Sequence, residues 1–217
     1  MPLSRLLLIV TSIFVFSADL AQAQSRRPYT SEFSFRFNYV EDENFSGPNG
    51  SSLEVKDDLG FGFAYLYNKT ENFAIGGSFD WIGMNYTSHA KAIDPSNDDF
   101  SYSNRLYTYS LNFDAVYYLL NKPFSPFVAG SLGWTTIDSN IATGPSYGWC
   151  DWYSCYVYQP TKVESGFSYK LGLGLRWDVN RDFAVKGTYQ WSEVDVDVAG
   201  ENPNFTTWRL ELVSRFY

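Results

Sequence analysis

Apolar and polar residues alternate along most of the chain after residue 30. In the segment FSFRFNY, residues 33–39, every second side chain is aromatic, and Ser, Arg and Asn lie between them. Seven further segments repeat the pattern: LGFGFAYLY, FAIGGSFDW, YTYSLNFDAVYYL, PFVAGSLGW, FSYKLGLGLRW, FAVKGTYQW and TTWRLELVSRFY. A two-residue period is that of a β-strand with two different faces. The pattern predicts an all-β chain of eight strands. PFVAGSLGW is the ambiguous one, and there we place Val128, Leu132 and Trp134 on the aromatic face.

The connections between these strands alternate in length. The short ones are NKTEN, NKPFS and NRD, whereas the long ones span residues 41–56, 87–101, 139–162 and 193–205. In an up-and-down antiparallel barrel, all short turns then lie at one rim and all long loops at the other. This is the layout of transmembrane barrels, which have short periplasmic turns and long outer loops. We therefore predict an eight-stranded transmembrane β-barrel.

The volume of such a barrel decides which face points outward. An eight-stranded interior is just wide enough to be filled by side chains or to hold one small ligand, so it has no room for several aromatic rings from every strand. The opposite face is rich in Gly, Ala, Ser and Thr with scattered charges, which fits a narrow, polar lumen. Phe73 and Trp81 are eight residues apart on the aromatic face, a spacing that spans roughly 20 Å in a tilted strand. We predict that this face contacts lipid, with Trp at the long-loop rim.

Composition and the N-terminal residues agree with export to a membrane. The 217 residues carry a net charge of −8, which argues against nucleic acid as a partner. Arg5, the apolar run from Leu6 to Phe16 and the Ala21-Gln22-Ala23 site have the order of a secretory signal peptide. The alternative is a short membrane anchor, although the run is short for spanning a bilayer. We expect a signal peptide at residues 1–23 and a barrel domain at residues 24–217.

Charged side chains of both signs fall on the predicted lumen face. They include Arg36, Asp80, Asp114, Lys170, Arg176, Lys186, Arg209 and Glu211, together with Asn112 and Arg215. A polar pore or a proton-linked path is one interpretation. A packed network that fixes the strand register is the other, and the small interior of eight strands favours it.

The longest loop contains the segment YGWCDWYSCYVY. In an exported protein Cys150 and Cys155 are expected to form a disulfide, which would shape the loop tip. A rigid aromatic tip suits binding to protein, sugar or lipid headgroups, but it could equally fold back on the rim or cap the lumen. The candidate binding residues are Tyr147, Trp149, Trp152, Tyr153 and Tyr156.

No arrangement of residues in the sequence points to catalysis. His89 is the one histidine, and we place it in a mobile outer loop without a Ser and carboxylate partner. The two Cys and Asp151 are too few to hold a metal ion. We predict no enzyme activity, no cofactor and no metal.

At this level the chain resembles the eight-stranded outer-membrane β-barrel superfamily of Gram-negative bacteria, which includes the OmpA transmembrane domain and the OmpX/Ail and OmpW families. SPFVAGSLGW and YKLGLGLRWDVNRDFAVKGTYQW are similar to strand-turn-strand segments of its general barrel domain. The resemblance implies residence in the outer membrane and contact with lipid and lipopolysaccharide. It also implies recognition by the barrel-assembly machinery, for which Phe216 in the last strand is the candidate signal. We expect a monomer.

Three functions remain open from the sequence. The leading hypothesis is a non-enzymatic protein that contributes to envelope integrity or surface interaction through its long outer loops. The alternative is a narrow, porin-like channel for small or apolar solutes. A lipid-modifying enzyme is a third class, which the missing His and Ser pair disfavours.

Overall fold

The computed structural model describes residues 27–46, 51–90, 100–150, 152–196 and 202–217. The predicted signal peptide therefore lies outside the described residues and stays a prediction. The described part contains the strands β1 (Thr30–Val40), β2 (Glu43–Ser46), β3 (Ser52–Val55), β4 (Asp58–Asn68), β5 (Phe73–Ala90), β6 (Phe100–Tyr118), β7 (Phe124–Ala142), β8 (Tyr147–Cys150), β9 (Cys155–Tyr158), β10 (Thr161–Asp178), β11 (Phe183–Val194) and β12 (Asn204–Phe216). In these ranges no helix is long and apolar enough to cross a membrane.

Eight of these strands close into an antiparallel ring. The order around the ring is β1, β4, β5, β6, β7, β10, β11 and β12. β12 then pairs with β1, from Ser31 opposite Phe216 to Val40 opposite Thr207. Closure gives every spanning strand a partner on both sides, as a lipid environment demands. The predicted eight-stranded barrel is confirmed.

The two faces of each strand are separated as the alternation predicts. In β6, Leu111 is 68% exposed on the outer face, whereas its neighbour Asn112 is 5% exposed inside. Val128, Leu132 and Trp134 also lie on the outer face, so the ambiguous strand is correctly oriented. The outward direction of the aromatic face is thus confirmed for these strands.

Side chains stabilise the short turns at one rim. The Asn180 side-chain oxygen accepts hydrogen bonds from the backbone nitrogens of Asp182 and Phe183, each at 2.8 Å. Thr70 does the same for Asn72 and Phe73 in the turn between β4 and β5. Such side-chain acceptors replace backbone partners that a tight turn cannot supply.

The long connections contain more strand than the sequence predicts. β2 and β3 form a hairpin, and β3 adds to the outer end of β5. The placement of His89 in a mobile loop is wrong, because His89 belongs to β5 and lies opposite Ser52 and Ser101. At the outer end of β5 the neighbouring residues Thr87 and Ser88 are both polar, so the alternation that identifies a strand is lost there.

The lumen is less uniformly polar than the sequence predicts. An apolar cluster crosses it at the long-loop end and includes Val40, Met84, Tyr86, Leu106 and Ile137. A smaller cluster lies nearer the short turns and includes Leu66, Val116, Tyr118 and Phe127. The expectation of a polar lumen therefore needs correction. Charged side chains occupy its middle and its short-turn end, and an apolar layer closes the outer end.

Candidate functional site

The charged lumen residues form two clusters. The first is centred on Glu32, which lies at the start of β1. Its carboxylate accepts hydrogen bonds from Arg176 Nη2 at 2.7 Å and Nη1 at 2.9 Å. Lys186 Nζ approaches it to 3.3 Å and Arg215 Nε to 3.5 Å. All four side chains are buried, so the carboxylate compensates three cations from β10, β11 and β12.

Asp178 extends this cluster to the short-turn rim. Its carboxylate accepts from Arg176 Nε and from Arg215 Nη2, both at 2.8 Å. Arg27 Nη2 lies 3.3 Å from the other carboxylate oxygen and also donates to the Lys122 carbonyl at 2.6 Å. Arg27 Nη1 donates to the Leu120 carbonyl at 3.2 Å. The fully buried Arg27 thereby joins the start of the barrel to the turn between β6 and β7.

The ring of Tyr118 lies among the cations of this first cluster. The guanidinium carbons of Arg27 and Arg176 are 4.6 and 5.1 Å from its centroid, and Lys186 Nζ is 5.8 Å away. Its hydroxyl accepts a hydrogen bond from Arg176 Nη1 at 2.9 Å. An aromatic face attracts cations through its quadrupole, so Tyr118 offsets part of the repulsion between the neighbouring positive charges.

The second cluster occupies the middle of the lumen around Arg36. Arg36 Nη2 donates to Asp114 at 2.9 Å, and its other nitrogens lie 3.8 Å from Asp80 and 3.6 Å from Glu211. Asp80 is in turn 3.5 Å from Arg209 and accepts from Asn38 at 3.0 Å. Lys170 Nζ completes the cluster at 3.6 Å from Asp80.

Little space remains around these side chains. The cavity bounded by Asn38, Asp80 and Arg209 has a volume of about 40 Å³, and that beside Arg36 and Asp114 about 10 Å³. A single water needs roughly 10–15 Å³ of such volume, so these spaces fit a few waters at most. The geometry is that of a packed ion-pair network.

Sequence reasoning identified most of the network but missed part of it. Every charged lumen residue named in advance lies in one of the two clusters: Arg36, Asp80, Asp114, Lys170, Arg176, Lys186, Arg209, Glu211 and Arg215. Glu32, Asp178, Arg27 and Tyr118 were missed. The signal was present for Glu32 and Asp178, because they share the strand parity of Arg36 and Arg176. Arg27 precedes the first strand, where alternation gives no information.

The aromatic loop forms a separate hairpin. β8 and β9 pair from Tyr147 opposite Tyr158 to Cys150 opposite Cys155, and a disulfide joins the two Cys. Trp152 and Tyr153 at its tip are 99% and 96% exposed, so they neither fold onto the rim nor cap the lumen. Tyr147 is also exposed. The side chains of the other two candidates, Trp149 and Tyr156, lie outside what the structure describes.

Phe216 lies on the lipid face at the end of β12 and is more than half exposed. Tyr217 follows the strand, and its hydroxyl donates to the Arg181 carbonyl at 3.2 Å. The role of Phe216 as an assembly signal stays a prediction.

No catalytic or metal centre is evident in the described ranges. His89 is exposed at the outer end of β5. Among the described side chains, no group of three or more His, Cys, Asp or Glu could hold a metal ion.

The closed antiparallel ring, the apolar outer face and the packed lumen define an eight-stranded transmembrane β-barrel. Residues 8–216 match the family described as outer membrane protein beta-barrel domain, and the chain belongs to that family. Membership places the protein in the outer membrane. Among curated protein sequences, no significant match is found.

Two solved structures show the likeness in fold. Ail, the attachment invasion locus protein of Yersinia pestis, solved with the heparin analogue sucrose octasulfate, is 17% identical with a TM-score of 0.52. That match covers 87% of this chain and 99% of Ail. The outer membrane protein OprG from Pseudomonas aeruginosa is 13% identical with a TM-score of 0.53, covering 90% of this chain and 100% of OprG. At these identities the likeness concerns the fold alone.

Proposed function

We propose that this protein is a non-enzymatic outer-membrane barrel that contributes to envelope integrity or surface interaction through its outer hairpins. The observation that carries the proposal is the disulfide-closed hairpin, which presents Trp152 and Tyr153 almost completely to the outside. Trp and Tyr supply most of the energy in many binding surfaces because they bury large areas at a small entropic cost. An exposed pair on a short closed loop is therefore suited to contact a partner.

The packed lumen supports a role at the surface over one in transport. Ion pairs connect β1 to β5, β6, β10, β11 and β12 across the interior, and the cavities between them are small. Removing one member of such a network leaves its partners buried without a compensating charge. Opening a path through the lumen therefore costs free energy. The narrow-channel alternative requires the network to rearrange.

The charge of the outer rim limits which partners are favoured. Glu41, Asp42 and Glu43 follow β1, and Glu54 and Asp57 lie in or after β3. Burial and the charges of Asp42 and Glu41 raise the pKa of Glu43 above its usual value. Like charges so close together repel anions. We therefore favour a neutral or cationic partner over a sulfated polyanion of the kind bound to Ail.

The experiment compares cells that lack the protein with cells that express the wild type or a Trp152→Ser, Tyr153→Ser double variant. Adhesion to immobilised polysaccharides and matrix proteins reports on surface interaction, and uptake of 1-N-phenylnaphthylamine reports on envelope integrity. Tyr29→Ser is the control, because Tyr29 is also aromatic and largely exposed (76%) but lies at the opposite rim. We expect the double variant to resemble the null strain in at least one assay. Wild-type behaviour of both variants in both assays would contradict the proposal.

A further inference from the structure

The inward-facing side chains of several strands change from polar to apolar towards the outside. In β6 the polar series Asn112, Ser110 and Thr108 is followed by Leu106, Asn104, Tyr102 and Phe100, of which Asn104 alone carries an amide. In β7, Ser131 and Thr135 are followed by Ile137, Ser139 and Ile141. The lumen face therefore continues past the charged network as a mainly apolar surface.

These side chains line a cavity at the outer mouth that is open to the outside, and we call it the outer vestibule. Its volume is about 630 Å³, and its walls include Leu53, Tyr86, Tyr102, Leu106, Ile137 and Ile141. Sites for drug-sized ligands measure roughly 300–1,000 Å³ and are lined mainly by apolar residues. Tyr86, Leu106 and Ile137 belong to the buried apolar layer and form its floor. The floor separates the vestibule from the ion-pair network below.

Several polar groups of the vestibule bind one another. Lys162 Nζ and Glu164 Oε1 are 3.5 Å apart at the rim, so their charges cancel locally. The Tyr86 hydroxyl donates to the Ser139 carbonyl at 3.0 Å, and the Ser139 hydroxyl donates to the Lys162 carbonyl at 3.0 Å. A charged ligand would find no compensating partner here without breaking these contacts. The lining fits an uncharged, apolar molecule.

The vestibule wall contains a seam between β6 and β7. Backbone pairing of these strands ends at Tyr107 opposite Asp138, although β6 extends outward to Phe100 and β7 to Ala142. Beyond that point, side chains bridge the strands: Asn104 Nδ2 donates to the Asn140 carbonyl at 2.7 Å, and Asn140 Nδ2 donates to Asn104 Oδ1 at 3.3 Å.

The seam begins at the height of the outer aromatic belt. On the outer face of the barrel there, the rings of Trp81 and Tyr107 stack with their centroids 6.3 Å apart. Aromatic belts mark the edge of the apolar part of the membrane. A chain from the outer leaflet therefore reaches the seam without crossing bulk water.

We propose that the outer vestibule binds an uncharged hydrocarbon chain, which enters sideways through the seam between β6 and β7. This goes beyond the proposed function, which does not require a ligand at this place. The acyl chain of a membrane lipid and a free apolar molecule present the same chemistry to the vestibule. The experiment separates these two sources.

The test uses purified protein in lipid nanodiscs and two photoreactive probes. One is a phospholipid with a diazirine near the end of an acyl chain, and the other is a free diazirine-bearing alkane. Mass spectrometry maps the adducts after illumination. Leu111, which faces lipid in the middle of β6, reports labelling from the bilayer itself.

Ser88→Trp fills the vestibule, because Ser88 is one of its lining residues. Ser103→Trp is the matched control. Ser103 lies on β6 next to Tyr102, which pairs with Ser88, and its side chain is exposed on the other face of the sheet. We expect adducts on Leu106 and Ile137 that disappear in Ser88→Trp and persist in Ser103→Trp. Labelling by the phospholipid identifies a lipid chain as the occupant, and labelling by the alkane alone identifies a free molecule.

Provided that Leu111 is labelled normally, either of two results would overturn the proposal. One is the lack of adducts on Leu106 and Ile137 with either probe, and the other is equal labelling of these residues in wild type and Ser88→Trp. If Ser88→Trp loses the heat-modifiable mobility of a folded barrel, Ala142→Trp replaces it, since Ala142 lines the vestibule from β7.

Discussion

The Glu32 carboxylate and the Arg176 guanidinium form a two-pronged ion pair across the barrel interior, with oxygen–nitrogen distances of 2.7 and 2.9 Å. The residues are 144 positions apart in the chain and come from β1 and β10, which are not neighbours in the ring. Two parallel hydrogen bonds fix both distance and orientation. This pair therefore ties together two strands that lie three apart in the ring.

Replacing Glu32 by Gln should destabilise the barrel strongly. The change leaves Arg176, Lys186 and Arg215 buried with one carboxylate fewer, and breaking a buried ion pair costs about 3–5 kcal/mol. Urea unfolding in lipid vesicles, followed by tryptophan fluorescence, measures the free energy. Glu164→Gln is the control, because its pair with Lys162 is about half exposed and contributes about 0–1 kcal/mol. Equal effects of the two variants would show that the network does not stabilise the fold.

Gly174→Ala tests how tightly the lumen is packed. A Cβ at Gly174 would run into the Phe127 ring and the Gly187 carbonyl, so we expect a loss of about 1–3 kcal/mol in the same unfolding assay. At Gly187, on the paired strand, a Cβ would meet no atom within 4 Å. Gly187→Ala should therefore leave stability unchanged or raise it slightly. A tolerated Gly174→Ala would indicate a loosely filled interior.

Removal of the disulfide should affect the hairpin and spare the barrel. A bond that closes a loop of five residues contributes roughly 2 kcal/mol by restricting the open chain. In the Cys150→Ser, Cys155→Ser variant we expect faster hydrogen exchange in β8 and β9, with unchanged exchange in β10. Loss of protection in β10 as well would mean that the hairpin supports the barrel.

The raised pKa of Glu43 makes the β2–β3 hairpin pH-dependent. A carboxyl group whose pKa is higher in the folded protein stabilises the folded state at low pH, and this contribution is lost as the pH rises through the raised pKa. Burial is the main cause of the raised pKa, and the charge of Asp42 adds more to it than that of Glu41, so Asp42→Asn should lower the pKa of Glu43. Side-chain carbon NMR titration measures it. An unchanged pKa of Glu43 in Asp42→Asn would contradict the contribution assigned to Asp42.

Much of this fold could be predicted from the sequence because every spanning strand must place apolar side chains towards lipid and mainly polar ones towards the lumen. The alternation around Leu111 and Asn112 gives the strand, its two faces and its orientation at once. The rule ends where the strands leave the membrane. Thr87 and Ser88 are both polar although they face opposite sides of β5, so the outer extension that contains His89 was mistaken for a loop.

Contacts across the lumen cannot be predicted from the alternation of residues. Alternation assigns Arg36 and Asp114 to the same interior, but it does not say that they meet, because that depends on register and strand tilt. The outer vestibule was missed for a related reason. Its residues come from five strands, and each strand contributes only the short stretch beyond the charged network.

Planar-bilayer conductance of the refolded protein tests the central claim most directly, namely that this barrel is filled by its own side chains and acts through its outer surface. With a known porin as positive control, we predict no discrete channels for the wild type, since the cavities around the ion-pair network hold a few waters at most. Reproducible unitary currents from folded, heat-modifiable protein would contradict the claim and favour the narrow channel.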